Sequence, residues 1–200
     1  GKSRGGETKA KIDGESAHKQ SRFAELLPLQ TLLPGIADLV LDGPSIRREF
    51  VDWGLFHVEH QYLEISRRYR KALGQRSAWL REGHDGTFDK DPWAQDIAKQ
   101  GALINHRRKG FVASLDQQTR RIFAALGAEL EVQLIYHGAG DTEDAAAAMA
   151  QLAESYERDL RHGTTHIGPH RNDVDIAVNG TNAENTVSRG QAKLIASAIV

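Results

Sequence analysis

Apolar positions recur along this chain with two different periods, and the places where the period changes divide it into elements. Residues 8–13 alternate small or apolar side chains with charged ones and run into Gly14, which predicts a short half-buried strand ending in a turn. A second apolar run, Leu26 to Leu33, is broken by Pro28 and closed by Pro34-Gly35, the pattern of a strand of mixed exposure followed by a turn. From Gly43-Pro44 onward the spacing changes. Ile46, Phe50, Trp53 and Leu55 recur at near-helical intervals with Arg47 and Arg48 assigned to the other side, so a short amphipathic helix is expected, with proline in its first turn.

The central third carries two long apolar stripes with steps of three and four residues or their sums. Tyr62, Ile65, Tyr69, Leu73 and Leu80 make one; Trp93, Ile97, Ile104, Phe111, Leu115, Ile122 and Ala125 make the other. Between them residues 82–92 hold two glycines, three aspartates and a proline, which predicts an antiparallel helical hairpin, or arm, with its tip near 83–91. Arg76, Gly101 and Arg108 interrupt the seam, so a short, irregular pair is expected and not a long coiled coil. After Gly127 the alternation of Leu130, Val132, Leu134 and Tyr136 with Glu131, Gln133 and Ile135 marks a strand. An Ala-rich helix is expected from an Asp141 cap to about Leu160, with Glu143 and Asp144 near the positive end of its dipole and Gly163 closing it. Val174, Ile176 and Val178 alternate with Asp173, Asp175 and Ala177 before Asn179-Gly180, a strand entering a tight turn. A last amphipathic helix begins at Ser188 and is still running at Val200.

Composition narrows the class. The chain has 200 residues, 40% of them hydrophobic, enough for one ordinary domain or two small ones. No window approaches the roughly eighteen uninterrupted apolar residues of a membrane span, and no basic-then-apolar leader marks secretion. Cysteine is absent, which leaves no disulfide framework and fits a reducing compartment, so the cytoplasm is the expected location. A net charge of -1 excludes a uniformly basic coat, and charge has to be read locally. Arg67, Arg68, Arg70, Lys71 and Arg76 lie in a stretch with no acid between Ile65 and Leu80, and Arg107, Arg108 and Lys109 lie on the opposing expected helix. Such a run suits either a solvated helix face or a surface that tracks DNA phosphates. Tyr69 and Trp79 fall on or near the apolar stripe, where packing is expected before base stacking.

Three sets of residues carry candidate chemistry. Ser188, three residues before Gln191 at a helix start, forms a capping box that leaves the other first-turn amides pointing outward. Gly190 adds no side chain, and Arg189 and Lys193 bracket the terminus with positive charge. On local physics the segment therefore reads first as a well-capped helix, with a phosphate seat as the alternative. His162, His166 and His170 are spaced four apart, but Gly163, Gly168 and Pro169 interrupt the helix that would place them on one face as metal ligands, so no metal is expected. His57 and His60 read as a helix-end pair.

Four ordered segments carry a family resemblance. Ser188-Arg189-Gly190-Gln191-Ala192-Lys193-Leu194 is similar to the S-R-G-Q-x-K-L signature of the RecF family, its version of the ABC signature sequence. The block from Gly43-Pro44 through Arg47-Arg48 to Asp52-Trp53-Gly54-Leu55-Phe56-His57 resembles that family's G-G-P-x-x-R-R-x-F-L-D-W-G-x-F-H segment. Residues 69–76 resemble its L-K-Q-R-N helix, and His166-Ile167-Gly168-Pro169-His170-Arg171-Asn172-Asp173 its H-x-G-P-H-R-x-D loop. Gly74 and Ser77 depart from the usual Lys and Asn, and Pro34-Gly35-Ile36 replaces a more acidic stretch.

The resemblance implies an α/β fold, a partial ABC-type ATPase head interrupted by an antiparallel helical arm. Residues 1–57 would belong to head lobe I, 58–127 to the arm or lobe II, and 128–200 to the return into the head, ending in the signature helix. It further implies ATP with Mg²⁺ as cofactor of the full-length protein, an ATP-dependent homodimer, and action on duplex DNA near single-strand gaps with RecR, leading to RecA loading, DNA repair, recombination and the SOS response. Ser188, Arg189, Gly190, Gln191 and Lys193 would act on a nucleotide held by the partner subunit, and His170 and Arg171, on a loop of the head, would contact nucleotide or hold the signature helix, a purely structural loop being the alternative. Full-length relatives are weak DNA-dependent ATPases. No Walker A loop and no strand ending in paired acids is present, because Gly1-Lys2-Ser3 lies ahead of a strand and not between strand and helix. The chain is thus expected to be an internal piece that is inactive alone. Two rival readings remain: a DNA- or protein-binding arm without nucleotide chemistry, and a piece of another SMC-like ATPase, against which the short arm argues.

Overall fold

The computed structural model describes residues 34–82 and 87–200, together with the backbone of two short strands, β1 (Lys11–Ile12) and β2 (Glu15–Ser16). These two pair antiparallel with Ile12 opposite Glu15, around the position expected for a strand ending in a turn. The strand expected over 26–33 lies outside the described residues.

A 3₁₀ turn over Pro34–Ala37 leads into α1 (Asp38–Leu41), and α2 (Pro44–Val58) follows with proline in its first turn. Then come α3 (Tyr62–Arg81) and α4 (Ala94–Ala125). β3 (Val132–His137), α5 (Ala145–His162), β4 (Asp173–Val178), β5 (Thr181–Asn182) and α6 (Arg189–Ile199) complete the chain. The sheet is antiparallel in the order β3-β4-β5, with Leu134 opposite Ile176 and Tyr136 opposite Val174. The turn between β4 and β5 places Asn179 (φ 49°) and Gly180 (φ 76°) in the left-handed region, as the Asn-Gly pair predicts.

β3 and β4 each have one buried face. Val132, Leu134 and Tyr136 from β3 and Val174, Ile176 and Val178 from β4 are buried, whereas Gln133, Ile135 and His137 face outward. The buried face meets Val112 and Phe123 of α4, Val51 and Leu55 of α2, and Ile195 and Ile199 of α6 in one core. At 32 residues, or about 48 Å, α4 is long enough to pack against α3 and α5 and also against β3, α2 and α6. It is therefore the element that joins the helical pair to the sheet.

The helix faces depart from the expected stripes in informative ways. On α2 the buried row is Arg47, Val51, Gly54 and Leu55, so Arg47 points inward and not outward as expected. On α4 the expected Ile122 is 41% exposed while Thr119 and Phe123 are buried; the packed row rotates by one residue because the second half meets a sheet and not another helix. The cap of α5 is Asp144, whose side chain accepts from the Ala146 N–H at 2.9 Å; the expected cap Asp141 stands instead 3.9 Å from Lys109. Gly163 ends α5 in the left-handed conformation, as expected.

Gly54 marks the tightest helix crossing. A Cβ there would lie 2.3 Å from Cζ of Phe111, inside any real contact distance. Gly54→Ala is expected to cost about 1–3 kcal/mol of stability in urea unfolding, as overpacking does. Adding Phe111→Leu should recover much of that loss; equal instability of the double variant would exclude the crossing as the cause.

Candidate functional site

The first turn of α6 is built by its own side chains. Ser188 is extended (φ -70°, ψ 160°); its Oγ accepts from the Gln191 N–H at 3.3 Å, and its own N–H donates to Gln191 Oε1 at 2.9 Å. The capping box read from the sequence is present. Helix geometry leaves the first-turn amides of Arg189 and Gly190 without intrahelical acceptors. Ser188, Arg189, Gly190, Gln191 and Lys193 are all exposed, and nothing but Ser188 Oγ lies within 4 Å of where a Gly190 Cβ would stand. Behind this open end Ala192, Ile195, Ala196 and Ile199 are buried, so the terminus is rigidly seated but uncovered. The serine hydroxyl accepts one hydrogen bond and keeps its own O–H to donate, with dipole and cations behind it: the chemistry of an anion seat.

A second cluster forms around residues 164–173. His166 takes two hydrogen bonds to Asp159 Oδ1, from its backbone N–H at 3.0 Å and at its Nδ1 at 2.8 Å. The carbonyl of Pro169 accepts from Arg108 Nη1 at 2.6 Å. Asn172 donates to Asn105 Oδ1 (3.1 Å) and Tyr136 Oη (3.0 Å), and its carbonyl accepts from Arg48 Nη1 (2.8 Å). Asp173 receives Arg47 through Nε (2.9 Å) and Nη2 (2.7 Å). Four elements, α2, α4, β3 and α5, thus hold one loop. Gly168 (φ 131°) is needed within it, since a Cβ would fall 2.5 Å from the Tyr69 hydroxyl.

His170 has both ring nitrogens engaged, Nδ1 with Tyr69 Oη at 2.7 Å and Nε2 with the Thr165 carbonyl at 3.0 Å. A carbonyl can only accept, so Nε2 carries the hydrogen and Nδ1 accepts from the tyrosine. Burial, with the nearby Arg171 and Arg48 charges, lowers its pKa to about 4. The ring is therefore neutral and committed to holding the loop. Arg171, by contrast, is exposed, with no side-chain partner among the described residues. No hydrogen bond or ion pair joins either residue to the 188–193 terminus among the described residues.

The basic run divides. Arg67, Arg68, Arg70 and Lys71 are exposed on α3, with Arg68 paired to Glu64 at 2.6 Å and Arg70 lying 3.7 Å from Asp52. Arg107 and Lys109 are half-buried and face Glu59 (3.3 Å) and Glu143 (3.4 Å). Arg76 and Arg108 leave the surface altogether. Arg76 is fully buried among Asp91 (2.6 Å), Asp159 (2.7 Å) and Thr165 (2.7 Å), and Arg108 is clamped by both oxygens of Asp52 (2.9 and 3.0 Å). Neither can meet a phosphate, which corrects their place in the expected DNA-binding set. The carboxylate partners Asp52, Asp91, Asp159 and Asp173 were not singled out from the sequence. The signal was the charge on an apolar stripe, since a buried guanidinium requires an anion.

The three spaced histidines are each engaged with other groups. His162 and His166 meet edge to face at 5.1 Å, and His162 bonds the Arg158 carbonyl. Among the described residues no group of three or more His, Cys, Asp or Glu side chains is arranged to hold a metal, and no helix is long and apolar enough to cross a membrane. His57 packs against Trp53 with centroids 4.5 Å apart at the end of α2. Tyr69 is buried and Trp79 meets Trp93 at 6.1 Å, so these rings serve packing.

No family model matches the chain. The DNA replication and repair protein RecF of Pseudomonas fluorescens (strain Pf0-1) is 36% identical over 197 residues, covering 98% of this chain and 53% of the relative. RecF of Pseudomonas putida is 37% identical over 198 residues and that of Pseudomonas aeruginosa (strain LESB58) 35% over 196, with the same coverage. The chain spans about half the length of these curated relatives. The solved structure of the recombination mediator protein RecF-ATP in the RecFOR pathway superposes with a TM-score of 0.84 at 22% identity, over 98% of this chain and 55% of that one. The α/β fold, a partial ABC-type head with a helical pair, is therefore shared.

The loop cluster predicts a pH response. His170 titrates near 4 when folded and near its ordinary 6.5 when unfolded, so the unfolded state takes up the proton first. Stability should fall as pH drops from about 6.5 to 4, by on the order of 2–3 kcal/mol, with no further contribution below that window. His170→Gln, which keeps a donor and an acceptor but cannot be protonated, should flatten that part of the curve in urea titrations. An unchanged pH profile would count against it.

Proposed function

This chain belongs to the RecF family, and from that premise we propose that it is the signature-bearing segment of an ATP-dependent DNA clamp. In this reading the open terminus of α6 faces a triphosphate held by the Walker loop of a second subunit, with Mg²⁺, so the site is completed only in a homodimer. Ser188 donates its hydroxyl hydrogen to a terminal phosphate oxygen, the Arg189 and Gly190 amides add two donors, and Arg189 and Lys193 supply positive charge. Gln191 holds Ser188 in place. Closure of the dimer grips duplex DNA beside a single-strand gap, engages RecR and promotes RecA loading in the cytoplasm. The observation that carries the reading is a rigidly seated helix terminus, held by its capping box, left uncovered and bracketed by cations.

DNA contact in this proposal is limited by what the fold leaves free. Arg67 and Lys71 stand one turn apart on the outer face of α3, exposed and without an acidic partner among the described residues. Arg171 is a third exposed cation without a side-chain partner among the described residues. A phosphate-tracking role fits these better than Arg68, Arg107 or Lys109, which already face carboxylates.

In the full-length protein, Ser188→Arg is expected to abolish ATP-induced dimerisation in sedimentation velocity while leaving the fold unchanged; dimerisation at the wild-type ATP concentration would overturn the assignment. The chain alone should show no ATP hydrolysis. Arg67→Glu combined with Lys71→Glu should weaken duplex binding about tenfold or more at low salt and make the salt dependence shallower. Affinity that stays constant would remove this face from the DNA surface and favour a protein partner.

A further inference from the structure

A cleft of about 530 Å³ opens between α2 and α3, where the two helices diverge. One wall is the α2 row Ser45, Arg48, Glu49, Asp52, Trp53 and Phe56; the other is the α3 row from Tyr62 to Leu73 that includes Leu63, Ser66 and Arg70. Arg108, Pro169 and His170 form its floor, so the pinned loop also supports this cleft.

Two features show that the cleft is a built site. Trp53, Phe56 and Leu63 are only half-buried and are not among the side chains packed on the core, although all three line the cleft. Ser66, 5% exposed, lines it as well. The rim cations are only partly satisfied. Arg48 spends Nη1 on a carbonyl, and burial, followed by the Arg108 and Arg171 charges, holds its pKa below the ordinary value. The Arg70 side chain is 69% exposed, 3.7 Å from an Asp52 carboxylate that Arg108 and Tyr62 already occupy.

Charge decides the class of occupant. Three arginines against Glu49 and Asp52 leave the lining at +1, with Arg171 adding to the field at Arg48. A polyanionic strand would have to pass two carboxylates, whereas Arg67 and Lys71 stand elsewhere on α3 without an ion-pair partner among the described residues. A short segment with one or two carboxylates beside an apolar side chain matches both the surplus charge and the Trp53-Phe56-Leu63 walls. Arginine and aromatic side chains of this kind form the anchors of protein interfaces. We propose that the α2–α3 cleft docks an acidic-apolar peptide segment of a partner protein, its carboxylate held by Arg48 and Arg70 and its apolar side chain between Trp53, Phe56 and Leu63. The proposal does not depend on nucleotide, so a chain unable to dimerise would still bind.

The test is a random dodecapeptide phage library panned on the chain, with counter-selection on the Arg70→Glu variant, whose exposed site leaves the core untouched. Enriched clones should carry Asp or Glu next to Leu, Phe or Trp. A fluorescein-labelled consensus peptide should bind at least about tenfold more weakly to Arg70→Glu and to Trp53→Ala, with thermal melts confirming both folds. No enrichment over Arg70→Glu, or enriched peptides without acids, would overturn the proposal. So would a labelled dT12 oligonucleotide that displaces the peptide and loses its affinity in Arg70→Glu, which would make the cleft a nucleic-acid site.

Discussion

Buried guanidinium-carboxylate pairing is the interaction on which the rest of this structure depends. Arg47 joins α2 to the start of β4 through Asp173, Arg108 joins α4 to α2 through Asp52, and Arg76 joins α3 to Asp159 of α5 and to Asp91 just ahead of α4. A buried ion pair adds little net stability, because desolvation offsets most of the Coulomb attraction. Losing one partner is another matter, since it strands a charge in the core at a cost of about 3–5 kcal/mol. Such pairs therefore discriminate strongly against misassembled packings of these helices.

All three pairs converge on one loop. Arg76 bonds Thr165 and shares Asp159 with His166, Arg108 bonds the Pro169 carbonyl, and Arg47 holds Asp173. The Asn105-Tyr136-Asn172 network and the Tyr69-His170 contact fill the space between them. A loop with this many fixed partners has a single conformation, and that conformation keeps His170 neutral. It also sets where β4 begins, and through the β4 core residues the seating of α6.

What this framework leaves uncovered is correspondingly specific. The α6 terminus is capped but open, the outer face of α3 keeps Arg67 and Lys71 free, and the divergence of α2 from α3 leaves an apolar cleft with cations at its rim. Rigid elements carry all three features, so each presents its groups without a prior ordering cost.

Local order was legible in the linear sequence. Period-two alternation located β3 and β4, the Asn179-Gly180 pair located the tight turn from β4 into β5, and the Ser188-to-Gln191 spacing identified the capping box, because each is a contact between near neighbours. The four ordered segments likewise carried the family resemblance. The sequence could not say which way a charged residue on an apolar stripe would turn. Arg76 and Arg108 looked like part of a basic surface, and Arg47 like the polar face of α2, until tertiary packing brought Asp159, Asp52 and Asp173 against them from 56 or more positions away. A guanidinium is inside or outside according to whether an anion meets it there, and that is a property of the assembled fold, not of the spacing along the chain.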